Sequence, residues 1–244
     1  MLHTVRLEDS MLVILLSYAL LGRFYSRNWG LSIDGKVAFC LQEIFSPVSF
    51  AISYYWARGG SWSIEPASRA WILLILWVGH YLNRSFVYVA LAPSMRRSAL
   101  ITVLAAILFN LLNGFVNGTF AVQYDATNDT NDPLLWTGLV IFALGFWINN
   151  ASDGHLRSLR SPGTSEYRIP HAGLFRWVTC ANYLGELLEW IGFAVVARNP
   201  AATAFVLCTF ANLAPRALAT HKWYFDVFGA KYPSDRNILI PYVW

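Results

Sequence analysis

Residues 98–122 read SALITVLAAILFNLLNGFVNGTFAV, a run of 25 residues without one charged side chain. A bilayer core takes about 20 predominantly apolar residues per helix. A strand would end well before such a run does, so it predicts a membrane-spanning helix. Its polar residues are not scattered. Asn110, Asn113 and Asn117 stand at i, i+3 and i+7, one stripe of a helix. Gly114 and Gly118 have GxxxG spacing, which favours close helix packing.

Working outward, six more apolar runs have the length of spans: roughly 9–22, 37–57, 70–92, 134–152, 174–197 and 201–219. The first has neither a basic n-region nor a small-residue cleavage site, so it reads as a span rather than a signal peptide. The expectation is an all-α integral membrane bundle of seven transmembrane helices, residues 1–244 forming a single domain with no internal repeat. Composition agrees: 56% of the residues are hydrophobic and 13% charged, whereas soluble domains average about 25% charged. Such a chain is neither disordered nor a soluble domain. Cys40, Cys180 and Cys208 are few, odd in number and set in apolar runs, which excludes a disulfide scaffold. The net charge of +4 comes from basic residues that flank spans, so nucleic acid is not an expected partner.

The same residues orient the chain. Loops alternate sides, and one side collects Arg23, Arg27, Lys36, Arg96, Arg97, Arg157, Arg160, Arg168, Lys222, Lys231 and Arg236. The other collects Arg6, Arg58, Arg69 and Arg198, making 11 against 4. The positive-inside rule places the N-terminus outside and the C-terminus in the cytoplasm. The acidic loop at 123–133 supports this; its Asn128-Asp129-Thr130 is a formal glycosylation sequon.

The residues that are costly in lipid carry the functional reading. A charge at mid-bilayer costs about 2.5–3.5 kcal/mol on insertion scales and is normally paired or functional. Gln42 and Glu43 interrupt the second run; His80, Arg84 and Tyr88 stand at i, i+4 and i+8 in the third. Asn149, Asn150 and Asp153 close the fifth, Asn182, Glu186 and Glu189 line the sixth, and Asn212 and Arg216 lie in the seventh. Interhelical hydrogen bonds account for a few amides. So many carboxylates, arginines and amides together predict a polar, ligand-holding cavity. The loop DGHLRSLRSPGTSEYRIPHAG at 153–173 adds Arg157, Arg160, Arg168 and Tyr167. Guanidinium forks suit phosphate oxygens, so the combination predicts a nucleotide, with phosphates on the arginines and ribose and base on amides and carboxylates. There is no G-x-G-x-x-G, Walker motif or G-x-S-x-G elbow, and the five histidines have no metal-ligand spacing.

Several separated motifs resemble the steroid 5α-reductase (3-oxo-5α-steroid 4-dehydrogenase) family, over about residue 37 to the end. They are Gln42-Glu43, Arg84-Ser85-Phe86-Val87-Tyr88, Asn113-Gly114, Ser152-Asp153, Leu156-Arg157, Leu159-Arg160, Pro162-Gly163 and Tyr167-Arg168-Ile169-Pro170. Gly173-Leu174-Phe175, Ala181-Asn182-Tyr183, Gly185-Glu186, Glu189-Trp190, Arg216-Ala217, His221, Tyr224, Tyr232-Pro233, Arg236 and Leu239-Ile240-Pro241-Tyr242 continue the series. The resemblance implies a seven-helix reductase that uses NADPH to reduce the Δ4 double bond of 3-ketosteroids, hydride going to the enone β-carbon. It implies that Tyr88 and Glu43 sit at the substrate carbonyl, Tyr88 donating to the oxygen on which charge develops. It further implies cofactor contacts from Asn149, Asp153, Arg160, Tyr167, Asn182, Glu186, Trp190, Arg216 and Tyr224, with Arg157 and Arg168 as helpers. Phe109 and Phe115 are candidates to line the steroid slot. Two departures stand out: Thr220-His221 replaces a short histidine run, and the fourth span lacks an arginine that the resemblance implies near Ala105.

The expected partners are a steroid or related enone lipid and membrane lipid, the chain acting as a monomer, with no metal. The compartment would be the endoplasmic reticulum or a bacterial inner membrane. The rivals are a membrane methyltransferase of the isoprenylcysteine type using S-adenosylmethionine, which needs no Glu43/Tyr88 pair, and a seven-helix transporter or receptor. Many transporters carry an inverted repeat, and none is visible here. Sterol double-bond reductases are closer neighbours but are usually longer.

Overall fold

The computed structural model describes residues 30–62, 68–124, 131–160 and 167–244. The first predicted span, Arg6, Arg23, Arg27, the sequon at 128–130 and Pro162-Gly163 lie outside the described residues. Contacts group the chain into two compact units, Met1–Asp132 with Ala197–Ala211, and Pro133–Val196 with Asn212–Trp244.

In the first unit, a two-residue strand β1 (Ser32–Ile33) pairs antiparallel with β2 (Ser98–Ala99). The Asp34 carboxylate then caps α1 (Gly35–Ala57), accepting from the backbone N–H groups of Lys36 at 2.9 Å and Val37 at 3.2 Å. The second helix, α2 (Arg69–Leu82), starts on the Ser68 hydroxyl. It continues as a π-helical segment, Asn83–Tyr88, and a last α-turn, Val89–Leu91. The run that opened the sequence analysis is α3 (Leu100–Gln123). Its GxxxG pair makes the expected close contact: Gly114 lies against Ser46, Ser49 and Phe50 of α1, and Gly118 against Phe50 and Ser53. Trp77 of α2 is buried beside them, stacked on Phe50 at 5.1 Å, its indole N–H donating to the Ser46 hydroxyl at 3.2 Å. Ile101, Leu104, Leu108, Leu111, Leu112 and Phe115 line the exposed side of α3. At one end, Asp132 pairs with Arg69 at 3.3 Å and with Arg198.

The second unit contains α4 (Pro133–Ser158), a 3-10 turn (Gly173–Arg176), α5 (Ala181–Ala197, whose last residue belongs to the first unit), and the later part of α6 (Pro200–Phe228). The α4–α5 pair is glycine-lined in antiparallel register. A Cβ on Gly138 would meet Gly192 and Val196 within 3.0 Å, and one on Gly145 would meet Gly185 and Glu189 within the same distance. Gly185 and Gly192 are equally tight against Asn149 and Phe142. This helix begins at Ala181 rather than near 174. The preceding residues instead meet the C-terminal segment: Thr179 and Cys180 donate backbone N–H groups to Asn237 and Ile238 at 2.8 and 3.2 Å, and Asn237 donates to Trp177 at 2.9 Å. Leu239, Cys180 and Ala217 form the core beneath that junction.

Among the described residues, Gly35–Ala57, Arg69–Leu91, Leu100–Gln123, Pro133–Ser158 and Pro200–Lys231 are long and apolar enough to cross a membrane. With 17 residues, α5 is at the short limit.

Candidate active site

In the first unit, the two residues expected at the substrate carbonyl, Glu43 and Tyr88, lie on α1 and on the π-helical end of α2. Phe39 and Glu43 are one turn apart on α1, and the Phe39 ring lies 5.2 Å from the Tyr88 ring. The face of α1 that carries Glu43 is therefore the face that meets Tyr88. Both Glu43 and Tyr88 are half-buried. Pro47 supplies no N–H to the Glu43 carbonyl, which loosens the helix at the turn bearing the carboxylate. The expected regular stripe of His80, Arg84 and Tyr88 is modified. The π-helical segment changes the pitch at Asn83–Tyr88, His80 is buried, and Arg84 lies over Tyr88 at 4.8 Å. Such single π-turns are frequent at functional sites.

The asparagine stripe of α3 is buried, at 7, 0 and 1% exposure for Asn110, Asn113 and Asn117. Asn110 donates to the Gln42 carbonyl at 2.7 Å, tying α3 to the turn that holds Glu43. The Asn117 amide donates to the Asn113 side-chain and backbone oxygens, both at 3.0 Å. Asn113 Nδ2, Asn117 Oδ1 and the Ser85 hydroxyl are buried without a hydrogen-bond partner among the described residues. Phe109 is half-buried, whereas Phe115 is 45% exposed on the outer stripe of α3.

In the second unit the α4–α5 contact aligns three candidates. Asn149 donates to the Asn182 carbonyl at 2.9 Å, and the Asn182 amide donates to the Asp153 carboxylate at 3.0 Å. Glu186 is half-buried; Trp190 is fully buried edge-on to Phe193. Arg157 and Arg216 are half-buried, Arg160 and Arg168 exposed. The Tyr167 ring meets Trp223 edge-on at 4.8 Å. Tyr224 is buried and stacks on Tyr232 at 5.1 Å.

The sequence reading missed the group that organises this end. Thr179 bridges His221 Nδ1 and the Tyr232 hydroxyl and donates to the Asn237 carbonyl at 3.2 Å. Arg236 is 4% exposed and lies over the Tyr232 ring at 5.0 Å, its Nε and Nη1 without partners among the described residues. A buried guanidinium with open N–H groups calls for an anion. In the sequence Arg236 reads only as a flanking charge and part of a family motif. Its burial follows from the C-terminal segment folding back on Trp177–Cys180, which no local pattern announces. No group of three or more metal-ligating side chains occurs among the described residues.

Helices long and apolar enough to cross a membrane, with amides and charged side chains buried within each unit, describe a multi-pass membrane protein. Comparison with known proteins gives the family. Residues 96–244 match the family model described as 3-oxo-5-alpha-steroid 4-dehydrogenase. The chain is 35% identical over 231 residues to Steroid 5-alpha-reductase DET2 of Gossypium hirsutum, covering 91% of this chain and 87% of that one. It is 35% identical over 228 residues to 3-oxo-5-alpha-steroid 4-dehydrogenase 1 of Rattus norvegicus, covering 90% and 84%. Against the protein of that name from Homo sapiens it is 32% identical over 225 residues, covering 91% and 85%. The chain belongs to the steroid 5α-reductase family, which favours the reductase reading over the methyltransferase and the transporter.

Proposed function

We propose that the chain reduces the Δ4 double bond of 3-ketosteroids to the 5α-dihydro ketones with NADPH. The observation that carries this is similarity over nine-tenths of the chain to proteins named for that reaction. The cofactor is consistent with the chemistry of the second unit, where the unpartnered Nε and Nη1 of Arg236 suit a phosphate. Arg160, Tyr224, Tyr167, Arg157, Arg168 and Arg216 are the further side chains proposed to contact the cofactor. Asn149, Asp153, Asn182 and Glu186 offer amides and carboxylates to ribose and base, and Trp190 backs them.

When bound, NADPH supplies a hydride. The protein's part is positioning and charge stabilisation. Tyr88 donates its phenol hydrogen to the enone oxygen and holds the negative charge that develops there. Glu43 shares that oxygen or fixes the phenol. The apolar side chains near Phe109 take the steroid body; Phe115, 45% exposed on the outer stripe of α3, is set aside from that slot. The whole chain, residues 1–244, works as one monomeric domain of seven spans, N-terminus outside and C-terminus cytoplasmic, in the endoplasmic reticulum or a bacterial inner membrane.

Detergent-purified protein with testosterone and NADPH tests this directly. The 5α-dihydro product is expected. Tyr88→Phe and Glu43→Gln are each expected to lower kcat by about 10²-fold, the scale of a lost oxyanion donor. A folded protein that binds no NADPH overturns the reading.

A further inference from the structure

In the first unit, at the start of α2, two guanidiniums converge on one carboxylate. The Nη2 atoms of Arg69 and Arg198 both pair with the same oxygen, Oδ2 of Asp132. Among the described residues neither arginine has a second acidic partner, so the cluster carries one positive charge in excess. Arg69 is 9% exposed, and its Nε is buried without a hydrogen-bond partner among the described residues. A buried cation with an unmet donor is costly unless an anion completes it. Arg69 is also the first residue of α2, where the positive end of the helix dipole disfavours a cation and attracts an anion. Arg198 stands between α5 and α6 at φ 48°, in the left-handed region. Glycine takes that conformation after a helix without penalty, whereas a residue with a Cβ does not. Such strained positions cluster at ligand sites. Arg198 is exposed, so the pair is open on one side. The rings at this end fit a membrane interface. Gly114 packs on Ser46 and Phe50, and Gly118 on Phe50 and Ser53, so α1 and α3 run parallel and finish together. Trp56 near the end of α1, Trp62 beyond it and Tyr124 at the end of α3 are all exposed, as aromatic residues at headgroup level are.

We propose that Arg69 and Arg198 form a binding site for a phosphate group, supplied by the headgroup of an anionic phospholipid. Guanidinium forks suit phosphate oxygens. The single excess positive charge matches the single negative charge of a phosphodiester headgroup. Asp132 holds the two guanidiniums side by side, so the site is built before the lipid arrives. The exposed rings around it place the site at the depth where headgroups lie. The arginines proposed to hold the cofactor belong to the second unit. This site uses none of them and does not rest on the reductase reading.

The test uses the full chain, stripped of lipid in mild detergent and titrated with dioleoylphosphatidylglycerol, with native mass spectrometry counting the lipid retained. Wild type is compared with Arg69→Gln, Arg198→Gly and Arg96→Gln, the last an exposed arginine outside the cluster. The wild type should retain one phosphatidylglycerol per chain. Arg69→Gln and Arg198→Gly should each retain at least fivefold less, and Arg96→Gln should match the wild type. Arg198→Gly guards against a variant that merely fails to fold. Glycine suits φ 48° and offsets the lost ion pair, so without lipid this variant should melt within about 3 °C of wild type. The lipid should raise the melting temperature of the wild type and leave that of Arg198→Gly unchanged. Inorganic phosphate in place of the lipid separates the two sources of the same chemistry, and it should stabilise the wild type less than the lipid does. Four results each overturn the proposal: no lipid retained by the wild type, full retention by Arg69→Gln and Arg198→Gly, an equal loss in Arg96→Gln, or stabilisation by inorganic phosphate equal to that by the lipid.

Discussion

A guanidinium that is 4% exposed with two nitrogens unpartnered among the described residues, as in Arg236, is costly unless an anion completes it. If that anion is a cofactor phosphate, Arg236→Met should raise the Kd for NADPH by more than tenfold. Arg236→Lys should recover little of the loss, because an ammonium is a point charge and lacks the planar fork. Fluorescence titration with NADPH reads both. Tyr232 gives a pH signature at the same place. Burial pushes its phenol above the ordinary tyrosine value of 10.0. The folded state then holds the proton more tightly than the unfolded chain. Stability contributed by Tyr232 is complete below about pH 10 and is lost as pH rises through its folded-state value. Thermal unfolding at rising pH should show this loss, and Tyr232→Phe should lack it while losing about 1 kcal/mol at neutral pH with the bond to Thr179.

At the scale of elements, α4 and α5 approach so closely that backbone meets backbone at Gly145 and Gly185. Side-chain amides then reach across, which places Asn149, Asp153 and Asn182 in one hydrogen-bonded chain. Gly145→Ala should force the helices apart, at about 1–3 kcal/mol for such overpacking. Gly79 of α2 has nothing within 4 Å of its would-be Cβ. Gly79→Ala should be neutral or stabilising by up to about 1 kcal/mol. The difference in melting temperature between the two variants, followed by intrinsic fluorescence, checks the register. The glycines at 138, 145, 185 and 192 were visible in the sequence, but seven-residue spacing alone does not say which helix they face.

For the whole molecule, the prediction concerns sides. In the first unit Arg69, Asp132 and Arg198 meet at one end, and the β1–β2 pair ties residues 32–33 to 98–99. With Cys40, Cys180 and Cys208 replaced by serine and the protein expressed in a bacterial inner membrane, a single cysteine at Asn131 should react with an impermeant maleimide added to intact cells. One at Ser158 should react only after permeabilisation. The reverse pattern would invert the proposed orientation.

The spans that the structure describes were legible because a bilayer leaves the chain little choice. About 20 apolar residues must stand together, and helical periodicity then sorts Asn110, Asn113 and Asn117 onto one buried stripe. Family motifs marked Glu43, Tyr88 and the α4–α5 carboxylates and amides, since their residue types survive in linear order. Other features depended on contacts between residues far apart in the chain. The late start of α5 at Ala181, the burial of Arg236 and the Thr179 junction all follow from the last segment hydrogen-bonding to Trp177–Cys180. The π-helical pitch over Asn83–Tyr88 and the meeting of Phe39, Arg84 and Tyr88 belong to the same class. The amino-acid sequence alone determined which segments are apolar enough for lipid and which polar residues they carry. Only the tertiary structure decided which of those polar groups find partners, because pairing is settled by helix register and by the return of the C-terminal segment.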